Sequence, residues 1–111
     1  MEPVGIIVES ADPLRLYAFA TFVATEVALG RSVRVFVTGN AVKAFAEAKK
    51  GELPPEIDWV NILGEAREIG DVKIYVCETV VKALGVGKPG MADEVTSMFS
   101  FLKDLNNVVV F

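Results

Sequence analysis

The 111-residue chain contains no histidine and a single cysteine. Without histidine there is no Cys–His or Ser–His pair to activate a nucleophile, and the commonest zinc ligand is missing. A lone cysteine excludes an intrachain disulfide framework and makes a reducing cytoplasm the expected location. Basic residues are in deficit: 11 Lys and Arg against 15 Asp and Glu leave a net charge of −4. That balance argues against nucleic acid, whose phosphates need a basic patch, and no basic amphipathic stretch addresses an anionic membrane. Long hydrophobic runs are lacking as well. Leu16 to Ala24 is interrupted by threonine and soon meets Glu26, too short a run to span a bilayer. The opening Met-Glu-Pro has no signal-peptide character. Glutamine is absent too, and with the missing histidine this hints at a heat-loving source.

What is present is apolar. The hydrophobic share is 52% against 23% charged, and the mean hydropathy is +0.44. This describes one globular domain over residues 1–111. A domain of this size cannot hide so much apolar area alone, so a homo-oligomer is expected.

Val4 to Val8 is a continuous β-branched run, expected to be buried on both faces of a parallel sheet. Asp12 and Pro13 then read as the cap and first residue of a helix from Pro13 to Leu29, closed by Gly30. Leu14, Leu16, Tyr17, Phe19, Phe22, Val23, Val27 and Leu29 go most of the way round that helix. This favours a subunit interface over a core packed wholly within one chain. Ser32 to Thr38 is a second strand. Gly39-Asn40 turns into a helix from Ala41 to Lys50, with Asn40 as its cap, and the two prolines after Leu53 mark a loop. A third helix runs from an Asp58 cap to Ile69, with Trp59 as a core or interface aromatic. The third strand, Val72 to Val76, meets Cys77 and a short helix from Glu78 to Leu84. Val86 to Gly90 reads as a loop with at most a short extended piece around Val86. Ala92 to Leu105 reads as an amphipathic helix with Val95, Met98, Phe99, Leu102 and Leu105 on its apolar stripe. Val108 to Phe111 is the last strand. Alternating strands and helices predict an α/β fold, a mainly parallel sheet of four to five strands between helix layers.

In such a sheet ligands bind beyond the carboxyl ends of the strands. That rule gathers Glu9-Ser10-Ala11-Asp12, Thr38-Gly39-Asn40 and Cys77-Glu78-Thr79 on one rim. No glycine-rich phosphate fingerprint follows a strand, so neither a dinucleotide nor any other cofactor is expected. Cys77 is the candidate nucleophile. The free N–H groups where a strand feeds a helix favour negative sulfur, while the neighbouring carboxylate of Glu78 opposes it. The alternative is a small buried filler. Ser10 has no base to activate it and suits a turn or cap. Lys88 either greets an anionic donor or is a solvated loop lysine. Glu9, Asp12 and Glu78 form a weak hard-cation site at best, so no metal is expected.

The opening strand with Ser10 and Asp12 and its alanine-rich helix, the segment Ser32 to Val42, the segment Asp71 to Thr79 with Gly85-Val86, and the terminal Asn107 to Phe111 together resemble the DsrE/DsrF-like family of small sulfur-relay proteins. The resemblance covers nearly the whole chain. It implies a three-layer α/β/α sandwich assembled into trimers or hexamers. It also implies a cysteine, at the position of Cys77, that takes up sulfane sulfur as a persulfide and passes it to a partner. Glu78, Thr79, Ser10, Asp12, Gly39 and Asn40 would line that site. Two features depart from the family pattern. Gly87 to Met91 is shorter than the stretch that often supplies a further strand, and Glu78 is more acidic than the usual neighbour. A sulfur carrier with sulfurtransferase-like activity is therefore one expectation. A non-catalytic oligomeric subunit or small-ligand binder that keeps the fold is the other.

Overall fold

Val4–Val8 (β1), Val33–Val37 (β2), Val72–Cys77 (β3), Glu94–Thr96 (β4) and Val108–Val110 (β5) are the strands of the computed structural model, which describes residues 2–111. They form one sheet in the order β4-β3-β2-β1-β5, and every pairing is parallel. The helices are α1 (Pro13–Ala28), α2 (Asn40–Glu47), α3 (Trp59–Ile69), α4 (Glu78–Leu84) and α5 (Met98–Leu102), with a 3-10 turn at Pro55–Ile57.

Crossover handedness explains the layers. From β1 to β4 the chain adds each strand on the same side of the last, so right-handed connections put α1 to α4 on one face of the sheet. To reach β5, on the far side of β1, the chain must travel back across the sheet. The same handedness puts α5 on the other face. The result is an α/β/α sandwich with unequal layers. On the thick side Ile6, Val8, Val33, Val35, Val37, Ile74 and Val76 pack against Leu16, Phe19, Val23, Val42, Phe45 and Leu63, all essentially buried. Each such side chain contributes about 1.5–3 kcal/mol by leaving water. On the thin side α5 supplies one anchor, Phe101. Its ring centroid lies 5.2 Å from that of Phe36 and 6.0 Å from that of Tyr75. Leu105 follows and lies over Gly5. The complete burial expected for β1 therefore holds for Ile6 and Val8, while Ile7 on the thin side stays half-buried.

The helix ends follow local chemistry. The Asp12 carboxylate accepts from Arg15 N at 2.9 Å at the start of α1, and Asp58 accepts from Asn61 N at 3.3 Å at the start of α3. Gly30 and Gly85, both at positive φ, end α1 and α4. At α2 the expectation needs correction. Asn40 is the first helical residue, Gly39 stands at the cap without a side-chain bond, and the helix stops at Glu47. Gly39 is free to take φ 53° in the tight turn, which leaves no cap position for Asn40.

The larger correction concerns residues 92–105. Its first part is the strand β4, and only Met98–Leu102 is α-helical. The fourth strand is thus present, but at Glu94–Thr96 and not around Val86. Asp93 explains where it begins. Its carboxylate accepts from Ile74 N at 2.8 Å and its own N–H donates to Ile74 O at 2.7 Å, which locks the chain onto β3. Arg67 of α3 holds this clamp from the thick side, bonding Met91 O at 2.7 Å and Asp93 Oδ1 at 2.8 Å. The change from strand to helix period rotates the expected stripe. Val95, Met98 and Phe99 are exposed, Phe99 at 78%, and Phe101 is the buried residue.

The apolar girth of α1 is largely used within the chain. Leu16, Phe19, Ala20 and Val23 are buried. The Phe22 ring packs at 5.5 Å, tilted by 59°, against that of Phe111, and Val27 packs against Gly70. Leu14 and Leu29 remain exposed. A Cβ on Gly70 would overlap the branched side chain of Val27. Gly70→Ala is expected to cost about 1–3 kcal/mol of stability in urea titration, and adding Val27→Ala should recover part of it. An unchanged midpoint for Gly70→Ala would show that α1 and α3 can separate freely.

Candidate functional site

Cys77 ends β3 and is the cap residue of α4. The pleat sets its direction. Val72, Ile74 and Val76 enter the thick-side core, while Lys73, Tyr75 and Cys77 alternate with them and face α5. Cys77 pairs in register with Thr96, so both sit on that thinly covered face. The thiol is half-buried and lies outside the buried core cluster. Its side chain makes no capping hydrogen bond with α4. Glu78 and Thr79 begin that helix, directly after the sulfur.

The other rim residues lie at the carboxyl ends of β1 and β2, on the same edge of the sheet as Cys77. Ser10 and Asp12 are engaged with each other and with α1. Ser10 Oγ accepts from Asp12 N at 3.0 Å, and Asp12 caps Arg15. The turn after β2 is tied to the end of β1 by Ala41 N donating to Glu9 O at 3.1 Å and Thr38 N to Val8 O at 3.0 Å. β2 lies between β1 and β3, so Gly39 and Asn40 follow the strand next to that of Cys77 on one side and next to that of Ser10 and Asp12 on the other. β1 and β3 are two strand spacings apart, roughly 10 Å. Ser10 and Asp12 therefore serve as the local turn and cap. Glu9, Asp12 and Glu78 do not converge, and among the described residues no group of three or more acidic or cysteine side chains is placed to hold a metal ion. Lys88 donates to Asp93 O at 3.3 Å, a structural contact on the β4 clamp.

Two hollows mark the surface. A widely open one of about 380 Å³ lies on the thick side between the start of α1, the end of α2 and Trp59. The other, about 330 Å³, lies under α5 and is lined by Arg34, Tyr75, Glu94, Thr96, Phe101 and Lys103 among others. Cys77 lines neither, although its register partner Thr96 lines the second. The sequence reading passed over Arg34, Tyr75, Glu94 and Phe101. A signal was available: the period-two alternation of Lys73, Tyr75 and Cys77 against Val72, Ile74 and Val76 marks a face within reach of solvent.

Electrostatics at this face centre on Arg34. Its guanidinium bonds Val33 O at 2.9 Å and Asp71 Oδ2 at 3.0 Å. The hydrogen bond from Arg34, and then one from Ser32, hold the Asp71 carboxyl below its ordinary value of 3.8. A depressed folded value means that the contribution is complete above the unfolded value and fades as pH falls through the folded one. With Asp71 55% exposed, the pair is worth at most about 1 kcal/mol. Asp71→Asn should therefore lower the melting temperature slightly at pH 7, and the gap to wild type should close as pH falls through the depressed folded value of Asp71. A gap that persists in acid would assign the loss to something other than charge.

No helix among the described residues is long and apolar enough to cross a membrane. Neither a protein-family model nor a curated protein matches the chain.

Proposed function

We propose that this protein is a cytoplasmic sulfur carrier of the DsrE/DsrF-like kind, with sulfurtransferase-like chemistry at Cys77. The observation that carries the reading is the position of the only thiol. It is half-buried at the carboxyl rim of a parallel sheet, outside the hydrophobic core, where a buried filler would not be. The Cys77 thiolate attacks the terminal sulfane sulfur of a persulfide or polysulfide donor. The donor's S–S bond breaks, its remaining part leaves as a thiolate, and a new S–S bond forms on Cys77 with no net oxidation. The open N–H groups of Glu78 and Thr79 steady the terminal sulfur. A partner's thiolate then takes that sulfur and releases the Cys77 thiolate. No second cysteine in the same chain competes for it.

Assembly into a trimer or hexamer belongs to the same proposal. Its support is the high apolar content together with Met98 and Phe99 of α5, exposed at 39% and 78%. Incubating the folded protein with inorganic polysulfide should add one sulfur atom to Cys77, visible by intact-mass spectrometry and removed by excess glutathione. Cys77→Ser should stay unmodified. A folded protein that gains no sulfur while the denatured chain does would end the carrier reading.

The hollow under α5 favours a second reading, a small-ligand-binding subunit without covalent chemistry. Thiol alkylation separates the two. Under this reading native Cys77 reacts with iodoacetamide no faster than a hindered thiol, and Cys77→Ser leaves ligand binding intact.

A further inference from the structure

The layer that α5 lays over the sheet is too short to fill the space beneath it. The half-open cavity left there measures about 330 Å³, at the lower end of the range for small-molecule sites. Two aromatic residues, Tyr75 and Phe101, form part of its wall, and their rings meet at a 63° angle. Phe101 is held from behind by Phe36, so this wall is built on the central strand of the sheet. Around the rings stand Arg34, Glu94, Lys103 and Asp104, two charges of each sign.

The described residues form three ion pairs: Arg31–Glu26, Arg34–Asp71 and Arg67–Asp93. Glu94, Lys103 and Asp104 take part in none of them; all three are exposed and line the rim of one cavity. Arg34 uses part of its donor fork on Val33 O and Asp71, which fixes the guanidinium in place and leaves other N–H groups free. A ligand of one charge sign would be attracted by two of these groups and repelled by the other two. A ligand carrying both signs meets an opposite charge for each of its own.

We propose that this cavity binds a small zwitterion with a flat apolar body, of the size and chemistry of a free aromatic amino acid. The ring lies against Tyr75 and Phe101, the carboxylate meets Arg34 and Lys103, and the ammonium meets Glu94 and Asp104. Cys77 is not part of this wall, so occupancy does not depend on sulfur chemistry.

The test is an NMR titration of the ¹⁵N-labelled protein with L-phenylalanine as probe, beside phenethylamine and 3-phenylpropionate, which each keep one of its charges. Saturable shifts are expected at Tyr75, at 94–96 and at 100–105, with half-saturation below about 5 mM and each single-charge analogue at least about tenfold weaker. Glu94→Gln and Lys103→Gln should each weaken phenylalanine by about fivefold or more, with the rest of the spectrum unchanged as the check on folding. Cys77→Ser should titrate like wild type, so failure here leaves the carrier reading untouched, and failure of the carrier reading leaves this proposal standing. No saturable shift at 20 mM, shifts that map to the hollow beside Trp59, or equal binding of either analogue would overturn it.

Discussion

The packing of Phe101 onto Phe36 and Tyr75 is the contact on which the rest of the molecule depends. Four parallel strands are laid down in one direction, and the fifth has to reach the opposite edge beside β1. The returning chain crosses a face that no other helix covers, and one aromatic anchor holds it there. Without that anchor the sheet would present Phe36, at present fully buried, to water. With it, the face is closed over its centre and left open toward β3 and β4.

This division of the sheet into a thick side and a thin side separates stability from chemistry. The thick side holds nearly all of the buried aliphatic surface, as well as the Phe19–Phe45 and Phe45–Trp59 ring contacts. The thin side holds Arg34, Tyr75, Cys77 and Glu94, residues with polar or reactive groups and incomplete cover. The link between the sides is Arg67. It reaches from α3 to Asp93 and thereby sets where β4 starts and which of its residues face α5. The proposed sulfur site and the cavity are thus neighbours on one face, joined through the Cys77–Thr96 register pair and yet built from different side chains.

Much of this fold was legible in the residues. The β-branched runs marked β1, β2, β3 and β5, and Asp12, Asp58, Gly30 and Gly85 marked helix ends by caps that act within a few residues. The segment 92–105 was not legible. Its apolar residues fit a helical stripe, and the strand character of Glu94–Thr96 comes from Asp93 binding Ile74 and Arg67, partners 19 and 26 residues away in the chain. Part of the apolar girth of α1 likewise meets a distant partner. Phe111 covers Phe22 from the other end of the chain.

The sequence by itself determined the α/β class, the parallel sheet and the placing of Cys77 where a strand becomes a helix. These follow from hydrophobic period and short-range capping, which need no distant partner. Only the tertiary structure decided that the thiol faces the thin layer, that Ser10 and Asp12 follow a strand two places from its own, and that a cavity of mixed charge opens beside it. Those outcomes depend on strand order and on one long crossover, and strand order is a property of contacts between residues far apart in the chain.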